Sequence, residues 1–255
     1  MFDGYSAAGR RTVTVVLGLP DDIHACLFDL DGVLTQTAKV HQAAWKRTFD
    51  DFLRSRDPGA AEFTLADYNE HVDGKPRMDG VRDFLASRGI ILPEGAADDP
   101  PDAATVHGVA SRKNEQVLRE LEEHGVEVYE GSMRYLRAAR DAGLATAVVT
   151  ASANGEHVID VAGFADLIDA RIDGLVAARE GLRGKPAPDT FLAGARALGV
   201  SPAQAAVFED ALSGVAAGRA GDFGYVVGVD RVGQAAALAA RGADVVVADL
   251  DELLS

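Results

Sequence analysis

A chain of 255 residues, 47% of them apolar, is long enough to bury a large α/β core or a core plus an insert. Its net charge of −15 lacks the basic footprint that nucleic acid requires and is repelled by anionic membrane surfaces. An anionic substrate would therefore need locally placed cations or a metal ion.

Residues 1–21 read as an N-terminal extension. Its apolar piece, Val13 to Leu19, follows Arg10-Arg11 and superficially matches a signal peptide, but it is too short. Pro20-Asp21-Asp22 after it also lacks a small-residue cleavage pattern. No segment approaches the roughly 20 apolar residues that span a bilayer. Ile23 to Leu30 is an apolar run broken only by His24 and Asp29, which predicts a buried strand. Cys26, the only cysteine, lies inside it. No intrachain disulfide can form, and a buried thiol fits a reducing cytoplasm.

After Leu34 the pattern becomes helical. His41, Trp45, Phe49 and Phe52 fall on one face. Residues 54–61 read as a turn, Phe63 to Val72 as a short helix with Thr64 as N-cap, and Gly74-Lys75-Pro76-Arg77 as a loop. Val81 to Ser87 is predicted helical, residues 93–102 form a proline-rich connection, and Val106 to His124 is a longer helix closed by Gly125. From Val128 onward strands and helices alternate. Helices are predicted at Ser132–Asp141, after Thr150, at Pro188–Leu198, Leu212–Ala220 and Gln234–Arg241. Strands are predicted at Ala145–Thr150, Ala205–Phe208, Tyr225–Val229 and Asp244–Val247. Alternation of this kind implies a doubly wound, Rossmann-like parallel sheet. The expected organisation is an α/β core, residues 22–35 and 127–255, interrupted by an all-helical cap domain, residues 36–126.

The candidate chemistry begins at Phe28-Asp29-Leu30-Asp31-Gly32-Val33. Residues i and i+2 of a strand share a face, so both carboxylates point one way at the carboxyl end, where a divalent cation can neutralise them. Gly32 suits a turn in which backbone approaches a ligand. An Asp-rich turn capping a helix would share the local pattern. Three further stretches lie at strand ends or in the loops after them: Val148-Val-Thr150-Ala-Ser152-Ala-Asn154, Gly184-Lys185-Pro186-Ala-Pro188-Asp189, and Val207-Phe208-Glu209-Asp210.

These four stretches, in this order, resemble the four motifs of the haloacid dehalogenase-like phosphotransferases. The resemblance implies Asp29 as the nucleophile that becomes an aspartyl phosphate and Asp31 as general acid/base. Thr150 would hydrogen-bond a phosphoryl oxygen, and Lys185 would neutralise transferring charge. Mg²⁺ would be held by Asp29, Asp31 (through its carbonyl), Glu209 and Asp210. Within the family the cap is similar to that of the β-phosphoglucomutase group. His41 and Trp45 match its first cap helix, Val72-Asp-Gly74-Lys-Pro-Arg77 its phosphate-gripping loop, and Arg112-Lys113-Asn114 its second active-site stretch. The implied substrate-binding set is His41, Trp45, Gly74, Arg77, Lys113, Ser152 and Asn154. The chain departs from that group at Ala153, where a basic residue is common, at Gly80, which replaces a hydroxyl, and at Gln36, which replaces an acidic hinge residue.

The implied activity is Mg²⁺-dependent phosphoryl transfer on a small-molecule sugar phosphate, by a monomer. Interconversion of β-glucose 1-phosphate and glucose 6-phosphate comes first and sugar-phosphate hydrolysis second. A catalytically silent binding protein is disfavoured, because Asp29, Asp31, Lys185 and Asp210 are all in place.

Overall fold

The computed structural model describes residues 17–255; residues 1–16, most of the expected N-terminal extension, lie outside it. Leu17 and Leu19 pack against the core, and the Tyr135 hydroxyl donates to the Leu17 carbonyl at 2.9 Å.

Six strands form the sheet: β1 (Ala25–Phe28), β2 (Ala145–Val149), β3 (Ala170–Ile172), β4 (Ala205–Glu209), β5 (Tyr225–Val229) and β6 (Val245–Val247). Their order is β3-β2-β1-β4-β5-β6, with every pairing parallel. Both faces are covered, which is why the central strands read as continuous apolar runs rather than alternating ones. Cys26 and Phe28 enter one apolar cluster, with Met133, Leu136 and Ile159. Ala25 and Leu27 enter the other, with Phe191, Val215 and Leu238. Phe28 stacks on Phe208 across the β1–β4 pair, with ring centroids 4.5 Å apart. The strand order reverses at β1, so the crevice beyond the carboxyl ends of β1 and β4 is the topological switch point where such sheets bind ligands.

The insert between β1 and β2 begins with α1 (Thr37–Arg56), α2 (Leu65–Asp67) and α3 (Arg77–Ser87) and ends with α4 (Val106–His124). Phe49 stacks on Trp45 at 4.9 Å and meets Phe84 at 4.2 Å, giving the insert its own apolar cluster. The near ends of α1 and α4 join the core instead, through Ala44, Val117 and Leu121. Two backbone hydrogen bonds pair the linkers, Gln36 N–H to Glu127 O (2.8 Å) and Tyr129 N–H to Leu34 O (2.9 Å).

The second half adds α5 (Glu130–Asp141), α6 (Gly155–Ala162), α7 (Gly174–Glu180), α8 (Asp189–Ala197), α9 (Leu212–Ala220) and α10 (Ala235–Arg241). Three local features differ from the sequence expectations. The segment from Thr64 is capped as expected, by a reciprocal Thr64–Asp67 pair, but after one α-turn it widens into a π-turn at Tyr68–Val72. The helix expected from Val81 starts at Arg77, directly after Pro76, so Arg77 stands in a first helical turn rather than in a loop. The short α7 was not anticipated; its start is fixed by the Asp173 carboxylate, which accepts from Leu175 and Val176 N–H at 3.0 and 2.9 Å. Among the described residues no helix is long and apolar enough to cross a membrane.

Candidate active site

Asp29 leaves β1 with its N–H donating to Phe208 O at 2.9 Å, so its backbone is fixed by β4. Its carboxylate receives the Lys185 ammonium at 2.6 Å. The same ammonium reaches Glu209 Oε1 at 2.5 Å and the Val149 carbonyl at 3.1 Å, and lies 4.8 Å from the Phe191 ring centroid. Lys185 and Glu209 are buried. Burial disfavours the Lys185 charge, but Asp29 and Glu209 outweigh it and hold the ammonium protonated. Glu209 also accepts from the Ala211 N–H at 2.8 Å, and a Cβ at Gly214 would stand 1.7 Å from its Oε1. Only glycine leaves room for this carboxylate.

Oxygen atoms of Asp29, Glu209 and Asp210 all lie within 4.8 Å of one another. Lys185 pairs with two of these three buried carboxylates, and the third, Asp210, makes no ion pair or side-chain hydrogen bond among the described residues. Burial, then the neighbouring Asp73 and Glu209 charges, push Asp210 well above the usual carboxylate range. Burial likewise raises Asp29, with Lys185 opposing it. An all-oxygen donor set with more carboxylates than cations fits a hard divalent cation.

Asp31 borders the same cavity as Asp29 but is held by different partners. Its carboxylate accepts from the Thr37 hydroxyl and, at 3.3 Å, from the Thr150 hydroxyl, and His41 Nε2 stands 3.5 Å away. Thr37 and His41 belong to α1, so the cap's first helix meets Asp31 directly. The second Asp therefore has neutral hydroxyl and imidazole neighbours, and the first has an ammonium. Two carboxylates in different surroundings can take different proton-transfer roles.

A cavity of about 700 Å³ runs from Asp29 and Asp31 to the cap, past Trp45, Gly74, Arg77 and Lys113, and along Ser152 and Asn154. All of the substrate-binding residues expected from the sequence border it, as do Asp29, Asp31, Thr150, Lys185 and Asp210; Glu209 lies behind them. Lys113 is buried, bonded to His41 Nδ1 at 2.7 Å, and 5.1 Å from the Trp45 ring centroid. Burial and the nearby Arg77 lower its pKa to about 7. His41, accepting from Lys113 on Nδ1, is lowered by burial and by Lys113 to about 4. Arg77 donates to Ala110 O at 3.3 Å and pairs with no carboxylate among the described residues. Asn154 donates to Asn114 at 3.0 Å, joining core and cap across the cavity.

Several residues that shape the site were not singled out from sequence. Thr37 follows the hinge residue Gln36 and carries no mark of its own in the sequence. Asp73, beside Gly74, lines the cavity and meets the Tyr68 hydroxyl. Arg231 donates to Gly32 O at 2.9 Å and lies 3.5 Å over the Tyr129 ring, and Gln234 donates to Asp210 O at 2.9 Å. Nothing in the local sequence marks Arg231 or Gln234, because each acts through a backbone carbonyl distant in the chain.

A family model described as haloacid dehalogenase-like hydrolase matches residues 23–222. The chain is 53% identical over 247 residues to a β-phosphoglucomutase of Mycobacterium bovis, covering 94% of each. It is 32% identical over 238 residues to a validoxylamine A 7′-phosphate phosphatase of Streptomyces hygroscopicus, covering 89% of this chain and 94% of that one. A crystal structure of β-phosphoglucomutase from Clostridium difficile shares the fold, with a TM-score of 0.73 at 24% identity over 91% of this chain and 93% of the other. With a doubly wound core, an acidic cluster at its switch point and a model match over most of its length, the chain belongs to the haloacid dehalogenase-like hydrolase family and is an enzyme of that superfamily.

Proposed function

We propose that the enzyme is a Mg²⁺-dependent β-phosphoglucomutase, converting β-glucose 1-phosphate to glucose 6-phosphate through a bound bisphosphate. One observation carries this reading beyond phosphoryl transfer in general. Two cations, the half-buried Arg77 and the buried Lys113, open onto the same cavity as Asp29 and have only neutral partners, the Ala110 carbonyl and His41. Buried charge without a counter-ion is costly, so the cavity calls for an anion at its cap end as well as a phosphoryl group at Asp29. A bisphosphate supplies both. The identity to a β-phosphoglucomutase over nearly the whole chain supports the same substrate.

In this reading Asp29 attacks the phosphorus in line and forms the aspartyl phosphate. Asp31, oriented by Thr37 and Thr150, gives its proton to the leaving sugar oxygen and recovers one from the hydroxyl that attacks next. Lys185 stays charged and holds Asp29 and Glu209 in place. Asp29, the Asp31 carbonyl, Glu209 and Asp210 would hold Mg²⁺, which when bound neutralises charge on the transferring oxygens. Thr150 reaches toward the same group, and Ser152, Asn154, Arg77 and Lys113 retain the distal phosphate while the intermediate reorients. Trp45 and Gly74 shape the wall against the sugar.

A second reading, sugar-phosphate hydrolysis, is favoured by two residues. Ala153 offers the distal phosphate no side-chain donor, and a Cβ at Gly80 would already stand 3.1 Å from Val72. One assay separates the readings. With Mg²⁺ and a trace of bisphosphate, β-glucose 1-phosphate should become glucose 6-phosphate with no net phosphate release, and excess chelator should stop the conversion. Phosphate released in step with substrate loss would establish hydrolysis instead.

A further inference from the structure

The loop from Asp73 to Pro76 belongs to the cap, yet it is seated on the acidic strand end of the core. The Ser213 hydroxyl donates to the Asp73 carbonyl at 2.8 Å. Gly74, at φ +67°, lies so close that a Cβ there would stand 2.5 Å from Ser213 Oγ and 3.0 Å from the Ala211 Cβ. On the other side a Cβ at Gly184 would meet Pro76 at 2.1 Å. Glycines at both contacts let cap and core backbones close on each other.

Closure in this arrangement carries the Asp73 carboxylate into the cavity shared by Asp29 and Asp210. Among the described residues no cation pairs with Asp73 or Asp210, and the Tyr68 hydroxyl is what lies against Asp73. The residue after Asp73, Gly74, lies against Ala211, the residue after Asp210. Seating the cap thus adds a fourth carboxylate to Asp29, Glu209 and Asp210, with Lys185 the one ammonium among them. Like charges brought together in a closed cavity oppose closure unless a cation joins them. A small divalent cation dehydrates reluctantly, and a carboxylate beyond its direct ligands accepts hydrogen bonds from the water it keeps.

We propose that Asp73 is a cap-borne outer ligand for the divalent cation held at Asp29 and Asp210, so that cation binding and cap closure each favour the other. The inference rests on the phosphoryl-transfer reading for the cation and is independent of which sugar is bound. The coupling is reciprocal by linkage: whatever the cation contributes to closure, closure returns as cation affinity.

The test uses the full chain without substrate, as wild type, Asp73→Asn and Asp73→Glu. Mn²⁺ affinity is read by electron paramagnetic resonance of the free ion. Closure is read by small-angle scattering and by the fluorescence of Trp45, the only tryptophan, which lines the cavity. Wild type should close on adding cation. Asp73→Asn should bind Mn²⁺ roughly 10-fold more weakly, yet close with no cation added, because the opposing charge is gone. Asp73→Glu should recover tight binding and cation-dependent closure. A merely structural role would weaken binding and closure together. Equal Mn²⁺ affinity in wild type and Asp73→Asn, or a cation requirement for closure that persists in Asp73→Asn, overturns the proposal. Wild type that binds no Mn²⁺ and turns over no sugar phosphate would instead overturn the reading of the Asp29 site.

Discussion

The two ends of the cavity are built on different electrostatic plans. At the core end, Lys185 holds both Asp29 and Glu209, and the backbone beneath is fixed by parallel strand pairing. At the cap end, Arg77 and Lys113 stand on helices and have only a carbonyl and an imidazole for company. On the proposed reading a small cation completes the core end, and an anion carried on the substrate completes the cap end. Phosphoryl transfer and substrate retention are therefore separable, and substitutions should separate them.

The largest effect is expected at the core. Asp29→Asn keeps the shape and removes the nucleophilic charge, so turnover should fall by at least about 10⁴-fold on every phosphorylated substrate, acetyl phosphate included. Ordinary turnover in verified, undeamidated Asp29→Asn would remove the aspartyl-phosphate route. Phe49→Ala tests whether the cap's fold is as separate as its chemistry. Phe49 is fully buried among Trp45, Phe63 and Phe84, and its truncation should cost about 3–5 kcal/mol. Hydrogen exchange should then quicken in α1 and α3 far more than in β1 and β4. Equal loss of protection in both would show one cooperative unit.

Arg77→Ala should cost about 2–4 kcal/mol, roughly 30- to 1000-fold, in conversion of β-glucose 1-phosphate, by removing a charge-assisted contact. Acetyl phosphate has no distal phosphate, and its hydrolysis should be nearly unchanged. A parallel loss on both substrates would make Arg77 a closure residue, and no loss on either would leave hydrolysis as the better reading.

The core was more legible in the sequence than the cap, for a physical reason. Buried parallel strands are apolar throughout, so Tyr225–Val229 and the helix Leu212–Ala220 read directly from pattern and turn residues. The three-residue β3 carries too little pattern, and α7 is signalled mainly by Asp173 before it and Gly181 after it. In the cap, Pro76 starts α3 while Gly74 and Pro76 read as loop, so the position of Arg77 had to come from the fold. Asp29 and Lys185 stand 156 residues apart, and no local pattern unites them; the order of the motifs did. Asp73 could be seen beside Gly74, but its place in the cavity with Asp210 comes from the fold. Arg231 and Gln234 hold carbonyls, which leave no trace in the sequence.

The smallest expected effect concerns Lys113, and it bears on whether the cap's cations are held against their own preference. Burial, then Arg77, lowers its pKa to about 7, well below the ordinary lysine range. Below pH 7 the side chain is charged folded and unfolded alike, so the cost of burying that charge is fully present. As pH rises from 7 toward about 10, the folded chain has released a proton that the unfolded chain still binds, and stability rises. Lys113→Met removes the buried charge, so its melting temperature should exceed that of wild type most at pH 6 and progressively less by pH 9. Substrate capture should move the opposite way. Free enzyme that has lost the Lys113 proton offers one cation fewer to the distal phosphate, so wild-type kcat/KM for β-glucose 1-phosphate should fall roughly 3- to 10-fold from pH 6 to 9. Once bound, the phosphate keeps the ammonium charged, so kcat should change less. Lys113→Met should start lower and show neither slope. If it keeps the alkaline fall in kcat/KM, the titrating group lies at the core end, and the cap's cations are ordinary ones.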